Sequence, residues 1–599
     1  MHHVVVHAHC YQPPREDPWL EVVESEPSAA PDHDWNARIT RECYARLGAA
    51  EIRVRDPRAS PTDPDARAGL ARLVNLYGWC TFDVGATLCE WMDAHAPDVL
   101  RAMVAGDAAS VKRWGHGNAI AAPYHHVILP LASPRDRRTE VRWGIADFQR
   151  RFGRAPEGMW LPECAADEDT LDLLAREGIL FTILAPYQID AGGETHGLPV
   201  RWRGTSGRSL VILPYDGPLA GEVAFGGLLS DAGALARRLA PTMADGQHRC
   251  TTLATDGETF GHHHRNGERT LARAMALIGE SHHAQLTNAA TLVARTPPVR
   301  EARLHSPSSW SCAHGVERWR SNCGCRIDMS KPPAQEWRGP LRTAMVSLAE
   351  RTASVFASEG ASLFARDPSD VRDDYGTVVA MDGEALEQFT RANVQAGVGD
   401  AGVQRARELL EMQRASLRTF TSCAWFFDDV NRIEIRQVLR YACRAMALAL
   451  VPDSVQESFV SDLRLAHATA PRSESAADVY QSTVVPVRAT EWNVAAGAIA
   501  LASAHLPFAH VGVFDVEGHA IDSQWRVVLT HRRTGAIDTF VGAVTDASIA
   551  SFTVSLSRST THQALTSASI AIAELPEAVG AALLSLHTLD DAILGSHAS

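Results

Sequence analysis

The 599-residue sequence predicts an α/β unit at its N-terminal end, a parallel-stranded barrel that is closed or nearly closed. Three observations carry this. Short apolar runs alternate with helical stretches over the first 300 residues, and such alternation implies a parallel sheet. About seven strand candidates occur, which suits a barrel better than an open sheet. No Gly-rich phosphate fingerprint follows any of them, so a nucleotide-binding doubly wound sheet fits poorly.

The first strand is His2 to His9, with His7 and His9 near its C-terminal end and the turn-forming 11-YQPPRE-16 after it. Residues 17–67, rich in Pro, Asp and Glu, read as a long loop with short helices. The run 73-LVNLYGWCTFDV-84 is a second strand candidate, and 87-TLCEWMDAHAPDVLRAMVAG-106 is helical with a break at Pro97. In 115-GHGNAIAAPYHHVILPL-131 a strand end opens into a loop. Val141, Ile145, Phe148 and Phe152 form a helical stripe, with Gly153 where a C-cap is expected. Then come a strand at 159–161, a helix capped by Asp167 and stopped by Gly178, and strands at 179–184 and 209–215. A helix at 230–240, a strand ending at Asp256, a helix at 268–279 and the stretch 284–294 complete the unit.

From about 335 to 465 the runs are helical in period and free of strand alternation, which predicts an α-helical domain. From about 480 onward, 511–516, 524–545 and 551–557 alternate with period two around turn signals, which predicts a small β-rich module. The expected division is a barrel over 1–300, a helical domain covering the cleft over 301–470, and the β-rich module over 471–599. The stretch 466–478 is the best linker candidate.

Composition narrows the function classes. Hydrophobic residues make up 45% and charged residues 21%, a globular balance. A net charge of −14 argues against nucleic acid or an anionic membrane surface as partner, because both need a cationic face. The start runs straight into 4-VVVHAH-9 with no basic leader or apolar signal region. The Ala-rich stretch 493–514 is broken by His505, Pro507 and His510 and is too weak to span a bilayer. Eleven scattered cysteines suggest reduced thiols in a cytoplasm.

Two strand ends carry the candidate chemistry. In 158-GMWLPECA-165, Glu163 ends an apolar run and follows Trp160 by three residues; in 251-TTLATDGETFGHHH-264, another run ends in Asp256 and Glu258. A single strand-end Glu is most often a surface carboxylate. Strand ends on one barrel face converge, however, so two such acids can approach to about 5 Å, the separation of a retaining glycosidase pair. Trp160 would offer a sugar-stacking face. His9, His125, His126 and His262–His264 also fall at proposed strand ends. Singly each reads as a hydrogen-bonded loop histidine. Together they raise an alternative, a metal-dependent hydrolase of the polysaccharide deacetylase type with imidazoles and Asp256 holding zinc. That alternative leaves Glu163 without a role.

In 310-WSCAHGVERWRSNCGC-325, Cys312, His314, Cys323 and Cys325 have metal-ligand chemistry at a spacing that matches no standard zinc module. A structural zinc is one reading. A loop over the active site, with Trp310 and Trp319 as sugar platforms, is the other. The stretch 422-SCAWFFDD-429 reads either as core aromatics or as a cleft wall, with Asp428 and Asp429 at an exposed edge.

Taken in order, HxHxYQPP, YHHVILPL, WLPE and DGETFGHH resemble the successive motifs of glycoside hydrolase family 57. The region from about 305 onward resembles the DUF3536 extension that accompanies one bacterial branch of it. The resemblance implies a (β/α)7 barrel, incomplete and parallel, followed by a helical domain. It also implies retaining chemistry on α-glucans without a catalytic metal or other cofactor. Carried over by motif, Glu163 is the expected nucleophile and Asp256 the general acid/base. Trp160 and His9 would line the donor sugar site, with His126 at the second-motif position, and Glu258 would be a neighbouring polar contact. A fifth motif, an acid before an aromatic, is met loosely: Ala424 precedes Trp425, the expected acceptor-side contact. The expected partner is an α-glucan or oligosaccharide; amylase, glucanotransferase and branching activities are not separated at this level, nor is the oligomeric state.

Overall fold

The structure, a computed structural model, describes residues 2–54, 70–242, 248–281, 283–330, 334–381, 383–467, 474–548, 551–558, 567–571 and 574–583. The chain forms two compact units. One contains Met1–Pro14, Glu26–Arg338 and Phe420–Asp428; the other contains Arg15–Ser25, Gly339–Thr419 and Asp429–Ser599.

The first unit is built on parallel strands. The central one, β1 (His2–Cys10), is buried along almost its whole length, as expected of a strand covered on both faces. Its neighbours are β2 (Thr81–Val84) on one edge and β6 (Arg249–Asp256) on the other, both parallel. Beyond β2 lies β3 (Ala119–Ile120), then the segment around Met159, which bridges to Ala121, then β4 (Phe181–Leu184) and β5 (Ser209–Pro214). A backbone hydrogen bond from the Asp216 N–H to the Thr252 carbonyl, 2.8 Å, leads from the end of β5 back to β6. These staves make the incomplete (β/α)7 barrel that the resemblance implies, in line with the nearly closed parallel barrel read from the alternation.

The helices follow from local signals. Helix α1 (Pro134–Phe152) starts with Ser133 accepting from the Asp136 N–H and Pro134 in the first turn, and it ends at Gly153 with φ 66°. Its buried face centres on Val141, Trp143 and Phe148. Gly144 sits against the Ala122 carbonyl so closely that a Cβ would lie 2.0 Å from that oxygen. Only glycine permits this approach, which seats α1 under the loop after β3. Helix α2 (Glu168–Arg176) is capped by Asp167 through the Thr170 N–H.

The second unit has long helices at Arg338–Leu363, Asp400–Arg418 and Ile433–Leu448, and an antiparallel sheet whose first strand is His510–Val511 and whose last is Ser567–Ala571. The Ala-rich stretch becomes helix Glu491–Ser503, whose Val494, Ile499 and Leu501 pack with Val527, Phe540 and Leu556 of that sheet. Among the described residues no helix is long and apolar enough to cross a membrane. A buried charge network ties this unit together. Glu411 accepts two hydrogen bonds of 2.7 Å from Arg533 and one of 3.2 Å from Arg414, which also holds Glu21. Burial alone would raise the Glu411 pKa; Arg533 and Arg414 prevail and hold it far below the usual carboxylate range.

Candidate functional site

Register assembles the site. Because His9 pairs with Asp256 on β6 and with Asp83 on β2, the three side chains form one row at the C-terminal ends of adjacent strands. Asp83, fully buried, accepts from His9 Nδ1 at 2.9 Å and lies 3.2 Å from His7 Nε2. His9 Nε2 faces His126 Nε2 at 3.0 Å, and His126 Nδ1 lies 2.7 Å from the Ser422 hydroxyl.

Two facing imidazole nitrogens need one proton between them, and the surroundings decide which ring supplies it. Burial works to lower the His9 pKa, but Asp83, and then Asp256 and Glu258, outweigh it and raise it to about 9. For His126, burial and then the charge of His9 both act downward, so it sits well below the ordinary value. His9 is therefore the cation. It donates Nδ1–H to Asp83 and Nε2–H to His126, which passes its own Nδ1–H to Ser422. Tyr11 lies over His126, ring centroids 3.7 Å apart, and shares a 2.7 Å hydrogen bond with Thr421. Next to it, His125 is buried on Glu140 at 2.8 Å, while His262 binds Glu42 at 2.6 Å and His264 the Ala224 carbonyl at 2.8 Å. These three histidines are occupied away from the row.

Breaking this row has a predictable cost. Asp83→Asn is expected to remove about 3–5 kcal/mol of stability, as losing one partner of a buried pair does. The sign follows from the two groups. Asp83 is held below its ordinary pKa, its burial outweighed by His9, so its stabilisation is present above about pH 4. His9 is raised, so its share is complete below about 6.5 and is lost as pH rises through about 9. The wild-type advantage in denaturant melts is expected to be largest between those limits and to shrink towards pH 9; a flat difference would contradict the pairing.

Glu163 follows the bridge segment. Both it and Cys164 have positive φ, 59° and 49°, a conformation that costs a non-glycine residue of order 1 kcal/mol or more. The turn is held by the Trp310 N–H on the Glu163 carbonyl at 2.9 Å. The carboxylate Oε2 accepts from Trp310 Nε1 at 2.9 Å and from the Ser311 hydroxyl at 2.7 Å.

Asp256 has the opposite environment. Burial, then the negative charge of Glu258, raise its pKa; His9 opposes, and Glu163 adds to the rise, which brings it to about 7. Glu258, in the 3₁₀ turn Gly257–Phe260, accepts from Gln12 at 3.1 Å and from the Tyr44 hydroxyl, and burial raises its pKa as well.

The remaining expected contacts lie deeper. Trp160 is fully buried, stacked on His7 at 4.5 Å and on His9 at 5.3 Å, with Trp310 edge-on at 5.1 Å. It backs the histidines and presents no open ring face. Trp425 is also fully buried, its Nε1 donating to the Arg338 carbonyl at 3.2 Å. Trp319 is buried too, whereas Trp310 is half-buried. A cavity of about 310 Å³ beside His3, Gln285 and Arg295 opens at the N-terminal end of β1, the end away from these acids.

Sequence reasoning missed Asp83, Tyr11, Gln12, Tyr44 and Ser422. The one available signal was Asp83 itself, an acid inside an apolar strand.

Residues 51–304 match the profile of glycosyl hydrolase family 57, and residues 334–524 match the domain of unknown function DUF3536. The chain thus carries a glycosyl hydrolase family 57 region. It carries the DUF3536 region as an extension. Two probable 1,4-alpha-glucan branching enzymes of Mycobacterium tuberculosis are each 37% identical to it over 76 residues, 13% of this chain and 13% of theirs. A 1,4-alpha-glucan branching enzyme of Thermococcus kodakarensis is 34% identical over 64 residues, 10% of this chain and 9% of that protein. The matches thus span only a small part of the length of these curated relatives. The crystal structure of an exo-type maltose-forming amylase from Pyrococcus sp. ST04 shares the fold. Its TM-score is 0.59 at 13% identity, over 77% of this chain and 83% of that one.

Proposed function

We propose that this chain is a retaining glycosidase or transglycosidase acting on α-glucans, with Glu163 as nucleophile and Asp256 as general acid/base. The observation that carries the reading is the split between two neighbouring acids. One carboxylate is held by two hydrogen-bond donors, while the other is raised to about 7 by burial and like charge. A glycosidase needs this division of labour at neutral pH.

In the first step Glu163 attacks the anomeric carbon as the glycosidic C–O bond breaks, and the Asp256 proton goes to the departing oxygen. In the second, Asp256 takes a proton from the acceptor hydroxyl, whose oxygen bonds the anomeric carbon and frees Glu163. Configuration is retained. His9, His126 and Glu258 border the sugar, with His9 as a fixed positive charge opposite the acids and Trp160 stiffening the histidines from behind. Water as acceptor gives hydrolysis; a glucan hydroxyl gives chain transfer or branching.

Product analysis on amylose and glycogen tests the proposal by separating new reducing ends, redistributed chain lengths and new branch points. Unchanged glucans, or acetate released from an acetylated polysaccharide, would overturn it. The acid also predicts a pH profile. Because Asp256 must enter protonated, kcat/KM is expected to fall as pH rises through about 7. Glu258→Gln removes a charge that raises Asp256, so this limb should move to lower pH. A limb that stays put or moves upward would argue against Asp256 as the acid.

A further inference from the structure

Two turns rich in cysteine remain outside this chemistry. Cys312 and His314 lie on one, Cys323 and Cys325 on the other, and one ligand-type atom from each lies within 4.8 Å of all the others. The Cys312 and Cys325 sulfurs are 3.8 Å apart, Cys312 and Cys323 3.9 Å, and Cys325 Sγ is 3.6 Å from His314 Nδ1. A tetrahedral zinc with Zn–S of about 2.3 Å and Zn–N of about 2.0 Å requires edges of about 3.8 Å between sulfurs and about 3.5 Å from sulfur to nitrogen. The contacts match those edges. The sulfurs are far beyond the disulfide length of about 2.05 Å, and the four ligand atoms lie within 4.8 Å of one another. Three thiolates and an imidazole gathered within 4.8 Å are a zinc-type ligand set.

The backbone is shaped to the same end. Gly324, between Cys323 and Cys325, and Gly315, directly after His314, hold φ of 82° and 80°, turns that glycine adopts without strain. Backbone N–H groups of His314 and Arg318 are directed at the Cys312 sulfur, that of Cys325 at Cys323, and that of Ala313 at Cys325. Such donors spread the charge of bound thiolates.

The loop has little other means of holding its form, with only a 3₁₀ turn at Glu317–Trp319 among its described residues. What it does have are clamps to the 422–428 stretch. Arg318 donates to the Ser311 carbonyl at 3.0 Å and to the Phe426 carbonyl at 2.9 Å. Arg338 joins the Cys325 and Phe427 carbonyls, each at 2.9 Å, and Asp428 accepts from the Ile327 and Asp328 N–H groups. Trp310 and Ser311, the donors on Glu163, directly precede Cys312.

We propose that Cys312, His314, Cys323 and Cys325 bind one structural zinc ion, which fixes Trp310 and Ser311 against Glu163. Binding exchanges three thiol protons for the ion, with no change of oxidation state. The zinc assignment stands on the cluster alone; its consequence for Glu163 rests on the function proposed above.

The test uses the full chain, purified without a metal-affinity tag. Elemental analysis is expected to find about one zinc per chain, released by a mercurial that titrates thiols. Protein refilled with cobalt(II) should show thiolate-to-cobalt charge transfer and tetrahedral ligand-field bands. The Cys323→Ser, Cys325→Ser double variant should lose both the zinc and those bands. No zinc, iron in its place, a Cys312–Cys323 disulfide, or zinc undiminished in the double variant would each overturn the proposal. Should the variant fail to fold, wild-type metal content and the cobalt spectrum still decide. Zinc present and held by these cysteines in a protein that leaves every glucan unchanged upholds the metal site and removes only the reading of Glu163. With activity present, stripping zinc is expected to lower kcat more than it weakens glucan binding.

Discussion

Glu163→Gln is expected to lower kcat on amylose by roughly 10⁴-fold or more while glucan binding survives, because losing the nucleophile removes the covalent route. That loss corresponds to about 5 kcal/mol of barrier. The amide keeps the shape of the side chain and one oxygen for Trp310 and Ser311, so the turn with positive φ should hold its form. What disappears is the charge. Removing it also withdraws one of the influences that raise Asp256, so any residual activity should titrate at lower pH than the wild type. A smaller substitution gives a sharper result. With Glu163→Gly, azide can enter where the carboxylate stood and attack an α-linked aryl glucoside from the opposite face, yielding the β-glycosyl azide. Full activity in Glu163→Gln would sink the assignment. It would favour a water-activating metal at the histidine row, since that chemistry gives Glu163 no task.

How far the site was legible depended on whether its signal was local. Glu163 and Asp256 stood out because apolar runs stop where they begin, and the same runs gave the barrel its staves. Asp83 could not be read in this way. Its meaning comes from the register that sets it beside His9, a partner 74 positions away in the chain. The apolar run that contains it, read as one strand from 73 to 84, divides in the structure. Leu70–Val74 pairs antiparallel with Ala50–Val54, a 3₁₀ turn follows at Leu76–Gly78, and β2 begins only at Thr81. The indoles show the limit from the other side. An aromatic beside an acid suggests a sugar platform, but His7 packs on Trp160 and the Arg338 carbonyl caps Trp425, and neither partner is near in sequence. The stretch 422–428 has helical-domain neighbours on both sides, yet it lies in the barrel unit, where Ser422 meets His126. Hydrophobic periodicity carries no information about such a return.

Asp256→Asn is expected to lower kcat/KM on unactivated glucans by about 10²–10⁴-fold, the usual range for a positioned proton donor. The asparagine cannot protonate the departing oxygen, and it also cannot deprotonate the acceptor in the second step. These two defects separate with the leaving group. An aryl glucoside whose phenolate leaves unaided needs no acid, so the first step should remain fast while the glycosyl–Glu163 ester accumulates as a burst. Azide needs no general base, and it should attack that ester from the face the leaving group vacated. The product is then the α-glycosyl azide, opposite in configuration to the one expected from Glu163→Gly. The descending limb near pH 7 should vanish with the carboxyl that causes it. The two azide products together fix which acid attacks and which transfers the proton. The same anomer from both variants would mean that the roles assigned by burial and hydrogen bonding are wrong, even if both residues prove essential.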